Sequence, residues 1–407
     1  TLSGVLSGAG TFYKYSSSAS TLTLSGNNTM SGTFQMGVNG VNETAGTVKL
    51  EHNKAMGTKF ITWENDGTIE LATNGLTISN SVGIYNRASA TDGKRRFLLD
   101  LAGTNTGTMS GNFDIRMGGT TFDVGTDDTL TLTGSVTNGA GAGSWTKEGA
   151  GTLVITGSHT ASGTTTISAG TVQVGSGGTT GSLNSSLVTN NGTLVFNRSN
   201  AITVANNITG TGAVTQNGSN TLTLTGTNTY TGATTINAGT LEIGGTGSLS
   251  GGTYSGAIAN EGTFTYNSTS AQTLSGVISG TGDLVKNAAS TLTLSATNTL
   301  NGTVTINGGT LSLAAASNAI GSGASIVINS GATLDYSTSS QIHDDVASIT
   351  INSGTWNMTG NINELANCTV TMTDATISGG DNGSSFLLVR GGYVGSGNNT
   401  ISRTVDV

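Results

Sequence analysis

GAGTLVITGSHTASGTTTISAGTVQV (residues 149–174), GSNTLTLTGTNTYTGATTINAGTLEI (218–243) and AASTLTLSATNTLNGTVTINGGTLSL (288–313) are one text written three times. Leu153, Leu222 and Leu292 align in it, a recurrence too regular for chance. Inside each copy, apolar residues alternate with Thr and Ser in short runs, the period of a strand with one buried face. Amphipathic helical periodicity is missing, so the chain reads as all-β.

A shorter period runs through and beyond these copies. The signature Gly-(Thr)-apolar-x-apolar recurs at Gly143, Gly170, Gly192, Gly212, Gly239, Gly262, Gly282, Gly309, Ala332 and Gly354, with spacings of 27, 22, 20, 27, 23, 20, 27, 23 and 22 residues. Units of that size cannot enclose a core alone, and repeats this alike cannot be separate globules. The solution is to wind each unit into a coil of short strands and to stack coils so that like strands pair. A parallel β-helix (β-solenoid) of about 17 coils is expected, with three coils to each super-repeat of about 70 residues and neighbouring strands ~4.8 Å apart.

The composition agrees with this reading. Gly is 64 of 407 residues, Pro is absent, and charged residues are 9%. A proline would remove a ladder hydrogen bond from any interior strand. Gly170, Gly239 and Gly309, each at a strand entry, suit corners where φ is positive. Asn228 and Asn298 stand at equivalent corners and are expected to form amide ladders between coils. Apolar residues at 34% are too many for a disordered low-complexity chain. No run approaches the roughly 18 apolar residues of a membrane span, and no signal peptide opens the chain, so an exported, already processed chain is expected.

Three of these stretches, 149–175, 218–244 and 288–313, resemble the passenger-associated strand repeat of bacterial autotransporters, with flanking coils extending the likeness over 143–360. Residues 1–34 echo the same text. The resemblance implies a right-handed parallel β-helix at the bacterial cell surface or secreted from it, in adhesion, aggregation or matrix building, and it brings no catalytic residues. The closing segment SRTVDV (402–407) lacks the barrel strands of a whole autotransporter. Four segments follow: N-terminal coils at 1–34, an irregular charged stretch or side insertion at 35–130, regular coils at 131–360 and C-terminal coils at 361–407.

Candidate sites are few. Lys49, Lys54, Lys59, Arg87, Lys94, Arg95, Arg96 and Arg116, most of the basic residues, crowd the irregular stretch. Lys94, Arg95 and Arg96, near Asp92 and Asp100, form a candidate contact for an acidic glycan or a neighbouring subunit, against the plainer reading of a solvated turn with internal ion pairs. His343, Asp344 and Asp345 are the one His/carboxylate group, with no second carboxylate partner in view. His52 and His159 read as surface residues, and Cys368 as a small buried hydrophobe. Asp127 with Asp128, or the run at 379–385, offers oxygen ligands for calcium only as a single copy of a motif that works by stacking. Tyr230, Tyr254, Phe264, Tyr266, Phe196 and Tyr336 recur at like places and are expected to stack within or along the solenoid, with sugar binding as the alternative.

The formal charge of −8 argues against nucleic acid. The expected function is a structural or adhesive surface protein without cofactors, not an enzyme. Its partners would be surface glycans, other cells, or further copies stacked end to end into a filament. The alternative is a glycan-cleaving or glycan-binding β-helix.

Overall fold

The computed structural model describes residues 1–15, 20–37, 45–85, 95–116, 118–139, 141–315, 319–336, 346–358, 368–379, 387–388, 392–401 and 405–406. Apart from one short 3-10 turn at Ser250–Gly252, the regular structure is β-strand, and every named strand pair is parallel. The chain winds about 15 turns, slightly fewer than the spacing predicts. Coils differ in the length of chain they consume: the turn that carries Ile69 to its partner Phe97 is longer than the one that carries Trp145 to Thr165.

Two compact units divide at Ser199 and Asn200. In the N-terminal unit, three faces alternate along the chain. The first face stacks Thr21–Leu24, Thr47–Leu50, Gly67–Leu71, Arg95–Leu99, Thr120–Val124 and Trp145–Glu148 in register. The second runs from Leu76–Ile78 through Thr106–Met109, Thr129–Leu132, Thr152–Ile155 and Thr171–Val174 to Thr193–Phe196. The third stacks Phe12–Lys14, Thr33–Met36, Phe60–Trp63, Val82–Ile84 and Phe113–Ile115, with Val136–Thr137 last. Strands from the charged stretch, such as Thr47–Leu50 and Arg95–Leu99, thus take ordinary places in the stack.

The sequence alternation becomes packing directly. In the C-terminal unit, Leu222, Leu241, Phe264, Leu284, Val304 and Ile326 follow one another in register and are all buried, while Thr223 and Thr305, at the alternate positions, stay partly exposed. Each such side chain contributes roughly 1.5–3 kcal/mol by leaving water. The same register shows what the long repeat does. From Leu222 the chain passes three turns to Leu284, and Leu292 lies one strand further, paired with Gln272 and Leu311 on another face. Equivalent text therefore recurs on successive faces rather than in one column.

Two kinds of glycine set the corners. Gly170, Gly239 and Gly309 have φ of 66°, 62° and 64°, the conformation expected for them. Gly232, Gly256 and Gly276 instead form a column: a Cβ on Gly276 would lie 2.2 Å from the Gly256 carbonyl oxygen, and one on Gly256 would lie 2.5 Å from that of Gly232. That column is required by coil spacing and not by backbone angle.

In the N-terminal unit the core includes an aromatic column. Phe97 stands at its centre, 5.1 Å from Trp63 and 5.3 Å from both Phe113 and Phe122, and the column continues from Phe122 through Trp145 to His159. Such contacts add about 0.5–1.5 kcal/mol per pair beyond burial.

Candidate functional surface

Inward positions hold several polar groups, and three at equivalent places meet corner carbonyls. Lys147, Gln216 and Lys286 are equivalent in the three copies, each preceding the aligned leucine of its copy, Leu153, Leu222 or Leu292, by the same interval. Lys147 Nζ donates to the carbonyls of Glu148 and Gly149 at 2.6 and 2.8 Å, and Gln216 Nε2 donates to Gly218 and Asn220 at 2.9 Å each. Lys286 Nζ donates to Ala288 and, at 3.2 Å, to Gly308. Burial pushes both ammonium groups down to about 8, with Glu148 acting weakly the other way at Lys147. These lysines cap turns.

The basic cluster is divided by the strand pleat. Lys94, with Asp92, lies outside the described residues. Arg95 points inward, is 1% exposed, and donates to the Glu64 carbonyl at 3.0 Å. Inward parity in the strand Arg95–Leu99 thus turns its guanidinium to the core, where the sequence reading had placed a surface contact. Arg96 faces out and pairs with Asp123 of the next coil. Lys49 pairs likewise with Glu70 at 3.0 Å, and Arg116 with Asp114 at 2.8 Å. Three of the eight basic residues of this stretch are thus paired with neighbouring carboxylates.

Other candidates resolve by burial. His343, Asp344, Asp345 and residues 380–385 lie outside the described residues. Asp128 is buried, its carboxylate accepting the backbone N–H groups of Leu101 and Asn105 at 3.0 and 2.9 Å and the Asn105 amide at 3.0 Å, which leaves it a turn clamp and not a cation ligand. Among the described residues no three His, Cys, Asp or Glu side chains gather as a metal site. Tyr230, Tyr254, Phe264, Tyr266, Phe196 and Tyr336 are all buried. Tyr230 and Tyr254 pack at 5.6 Å and share the Thr234 hydroxyl at 2.8 Å each. They belong to the core, so none offers a sugar platform. Cys368 is buried, and burial pushes its thiol up to about 11, which keeps it protonated and unreactive.

His159, read from sequence as a surface residue, is 1% exposed and accepts the Trp145 indole N–H at 2.6 Å on Nε2. Trp145 opens the strand Trp145–Glu148 while His159 stands in an isolated bridge to Val136, and no local pattern marks the pair. Burial lowers its imidazole to about 4. Below the ordinary value of about 6.5 the unfolded chain takes up a proton that the folded chain refuses until about pH 4, so stability falls as pH drops through that window and levels off below it. The loss is expected to approach about 3 kcal/mol in the N-terminal unit. His159→Gln should flatten the dependence. Urea unfolding at pH 7 and pH 4.5, compared between wild type and variant, checks this; an equal slope in both would rule His159 out as the cause.

The outer faces carry hydroxyl rows. Thr106, Thr129, Thr152, Thr171 and Thr193 stand in register on the second face of the N-terminal unit. In the C-terminal unit Thr291, Thr310, Thr333, Thr355, Thr376 and Thr400 do the same. An amide ladder exists, but on other asparagines than expected. Asn352 donates to Asn329 at 3.2 Å, Asn329 to Asn307 at 2.7 Å, and Asn307 to Asn287 at 2.8 Å. Asn228 and Asn298 point inward and bond to backbone instead.

The passenger-associated-transport-repeat family matches residues 17–35, 146–174, 214–243 and 284–313. A 73-residue stretch is 45% identical to the adhesin BmaC autotransporter of Brucella suis biovar 1 (strain 1330), covering 18% of this chain and 2% of that protein. The chain thus spans only a small part of that relative's length. No solved structure matches. With repeats matched at four places, the last three beginning one or two residues before the turn-capping positions 147, 216 and 286, the chain carries passenger-associated-transport repeats in a parallel β-solenoid fold.

Proposed function

We propose that this chain is an extracellular, adhesive stretch of a bacterial surface passenger, with a structural and not a catalytic role. The observation that carries the reading is the set of passenger repeats, one part of the chain being 45% identical to an autotransporter named as an adhesin. The register adds physical support. Stacked coils hold outer side chains at fixed spacing, so a contact made on one coil is repeated on the next, and weak contacts sum by multivalency.

Beads coated with the purified chain are expected to adhere to bacterial or host cells several-fold more than albumin-coated beads. Equal adherence would overturn the reading. Electron microscopy of the same preparation tests end-to-end assembly, which filaments would support and single particles would exclude. Release of reducing sugar from polysaccharide by the wild-type chain would replace the adhesive reading with an enzymatic one.

A further inference from the structure

An asparagine followed by glycine is the step at which a peptide chain most readily modifies itself, because a residue without a Cβ lets its backbone nitrogen approach the preceding side-chain amide. The sequence holds this step at Asn39, Asn74, Asn138, Asn191, Asn217, Asn301, Asn307 and Asn382. The first and last lie outside the described residues. Folding treats the other six differently.

In five of them a reacting group is engaged. The Gly75 N–H donates to the Thr106 carbonyl at 2.7 Å, and Asn74 Oδ1 accepts the Thr106 N–H at 2.8 Å. The Gly192 N–H, after Asn191, donates to Asn190 Oδ1 at 3.2 Å. The Asn138 amide donates to Ser162 Oγ at 2.9 Å, Asn217 accepts from Asn237 at 2.7 Å, and Asn307 sits in the amide ladder with a partner on each side. Ring closure needs the side chain to swing onto the backbone, so each of these bonds has to break first.

Asn301 has no such restraint. Its side chain is exposed and its amide makes no hydrogen bond among the described residues, and the Gly302 N–H makes none either. The Asn301 backbone N–H donates to the Gly280 carbonyl at 2.9 Å, which fixes the residue at its corner and leaves the side chain free to turn. The glycine is demanded by packing: a Cβ on Gly302 would lie 2.1 Å from the Gly282 carbonyl oxygen, as one on Gly232 would lie 2.3 Å from that of Gly212. Ser162 and Thr231 hold the equivalent place in the other two copies, so the third copy alone sets asparagine before this glycine.

We propose that Asn301 is a self-modification site, where the folded chain deamidates through a succinimide to aspartate or isoaspartate. The Gly302 amide nitrogen gives up its proton and bonds to Asn301 Cγ; the Cγ–Nδ2 bond breaks, and Nδ2 leaves with a proton as ammonia. Water then hydrolyses one of the two imide bonds and returns an aspartyl or isoaspartyl link. The product carries a new negative charge into a corner where Asp283 already accepts the Thr303 N–H at 2.8 Å. An isoaspartyl link also adds a backbone atom beside the strand Thr303–Ile306, whose Val304 is held in register by Leu284 on one side and Ile326 on the other. Modification therefore strains this one coil.

The test holds the purified full chain folded in mildly alkaline buffer, samples it over days, and follows the six asparagines by peptide mass spectrometry with aspartyl and isoaspartyl products separated. Deamidation at Asn301 is expected to run roughly fivefold or more faster than at any of the other five, the factor that one retained hydrogen bond contributes. In concentrated urea, where those bonds are gone, the six rates should draw together. A rate at Asn301 no greater than at the other five in the folded chain would overturn the proposal. A lead that persists unchanged in urea would do so too, because it would place the cause in the neighbouring residues and not in the fold.

Discussion

Phe97→Ala is expected to destabilise the N-terminal unit by about 4 kcal/mol, near the upper part of the range for large-to-small core changes. The side chain is fully buried and touches Trp63, Phe113 and Phe122, with 5.1 to 5.3 Å between ring centres. Removal leaves a hole that the neighbours cannot fill, because each is fixed by strand pairing to its own coil. Phe97 pairs with Ile69 before it and Phe122 after it. Stacked coils interact with nearest neighbours, so the effect should be local in first appearance. Hydrogen exchange should accelerate about a thousandfold at amides of Gly67–Leu71, Arg95–Leu99 and Thr120–Val124. Phe97→Leu should recover more than half of the loss. A change below about 1 kcal/mol for the alanine variant would mean that the column is not packed as described.

The aromatic column also marks where sequence reading stops. Strand alternation was legible because Leu222 and Leu224, like Leu292 and Leu294, alternate with threonines, and the fold follows from that period and its repetition. Gly239 was legible because a turn with positive φ and a glycine coincide. Contacts between coils were not. Trp145 and His159 meet only once register is known, and a lone histidine among serines and threonines gives no hint of an indole beside it.

Inward cations were missed for a related reason. Arg95 and Lys147 occupy the inner parity of their strands, where charge alone would argue for the outside. What reverses the argument is the backbone carbonyls these side chains meet, that of Glu64 at Arg95 and those of Glu148 and Gly149 at Lys147. The exposed aromatic residues are harder still. Tyr13, Phe60 and Tyr85 are far apart in the chain, and only the pairing of Phe12–Lys14 with Thr33–Met36, then Phe60–Trp63 and Val82–Ile84, puts them on one surface.

Asparagine shows the same division between residue type and place, and it sets up the second large effect. Asn298 is 3% exposed, and it bonds to both neighbouring coils. Its Oδ1 accepts the Ile278 N–H at 2.7 Å from the coil before, and its Nδ2 donates to the Ala319 carbonyl at 2.7 Å in the coil after and to Ala296 at 3.1 Å. Asn228 makes the same bonds to Ile208, Ser248 and Gly226. Asn298→Leu strands one buried donor and two carbonyls, at about 1–3 kcal/mol for each group left unpaired. Relaxation recovers part, and a net loss of about 3 kcal/mol is expected.

Asn307, in the exposed ladder, takes part in two amide bonds of 2.7 and 2.8 Å, but water can replace either partner. Asn307→Leu should therefore cost less than about 1 kcal/mol. Asn298→Asp should be worse than Asn298→Leu, since a carboxylate keeps the Ile278 bond but turns a buried charge toward two carbonyl oxygens. Thermal unfolding of the three variants checks the order. If Asn307→Leu were as damaging as Asn298→Leu, the stack would be held from outside by its amide ladder, and the inward clamp would be incidental. The predicted order instead places the coil-to-coil restraint inside. That leaves the outer rows of each unit open to substitution while the stack beneath them stays fixed.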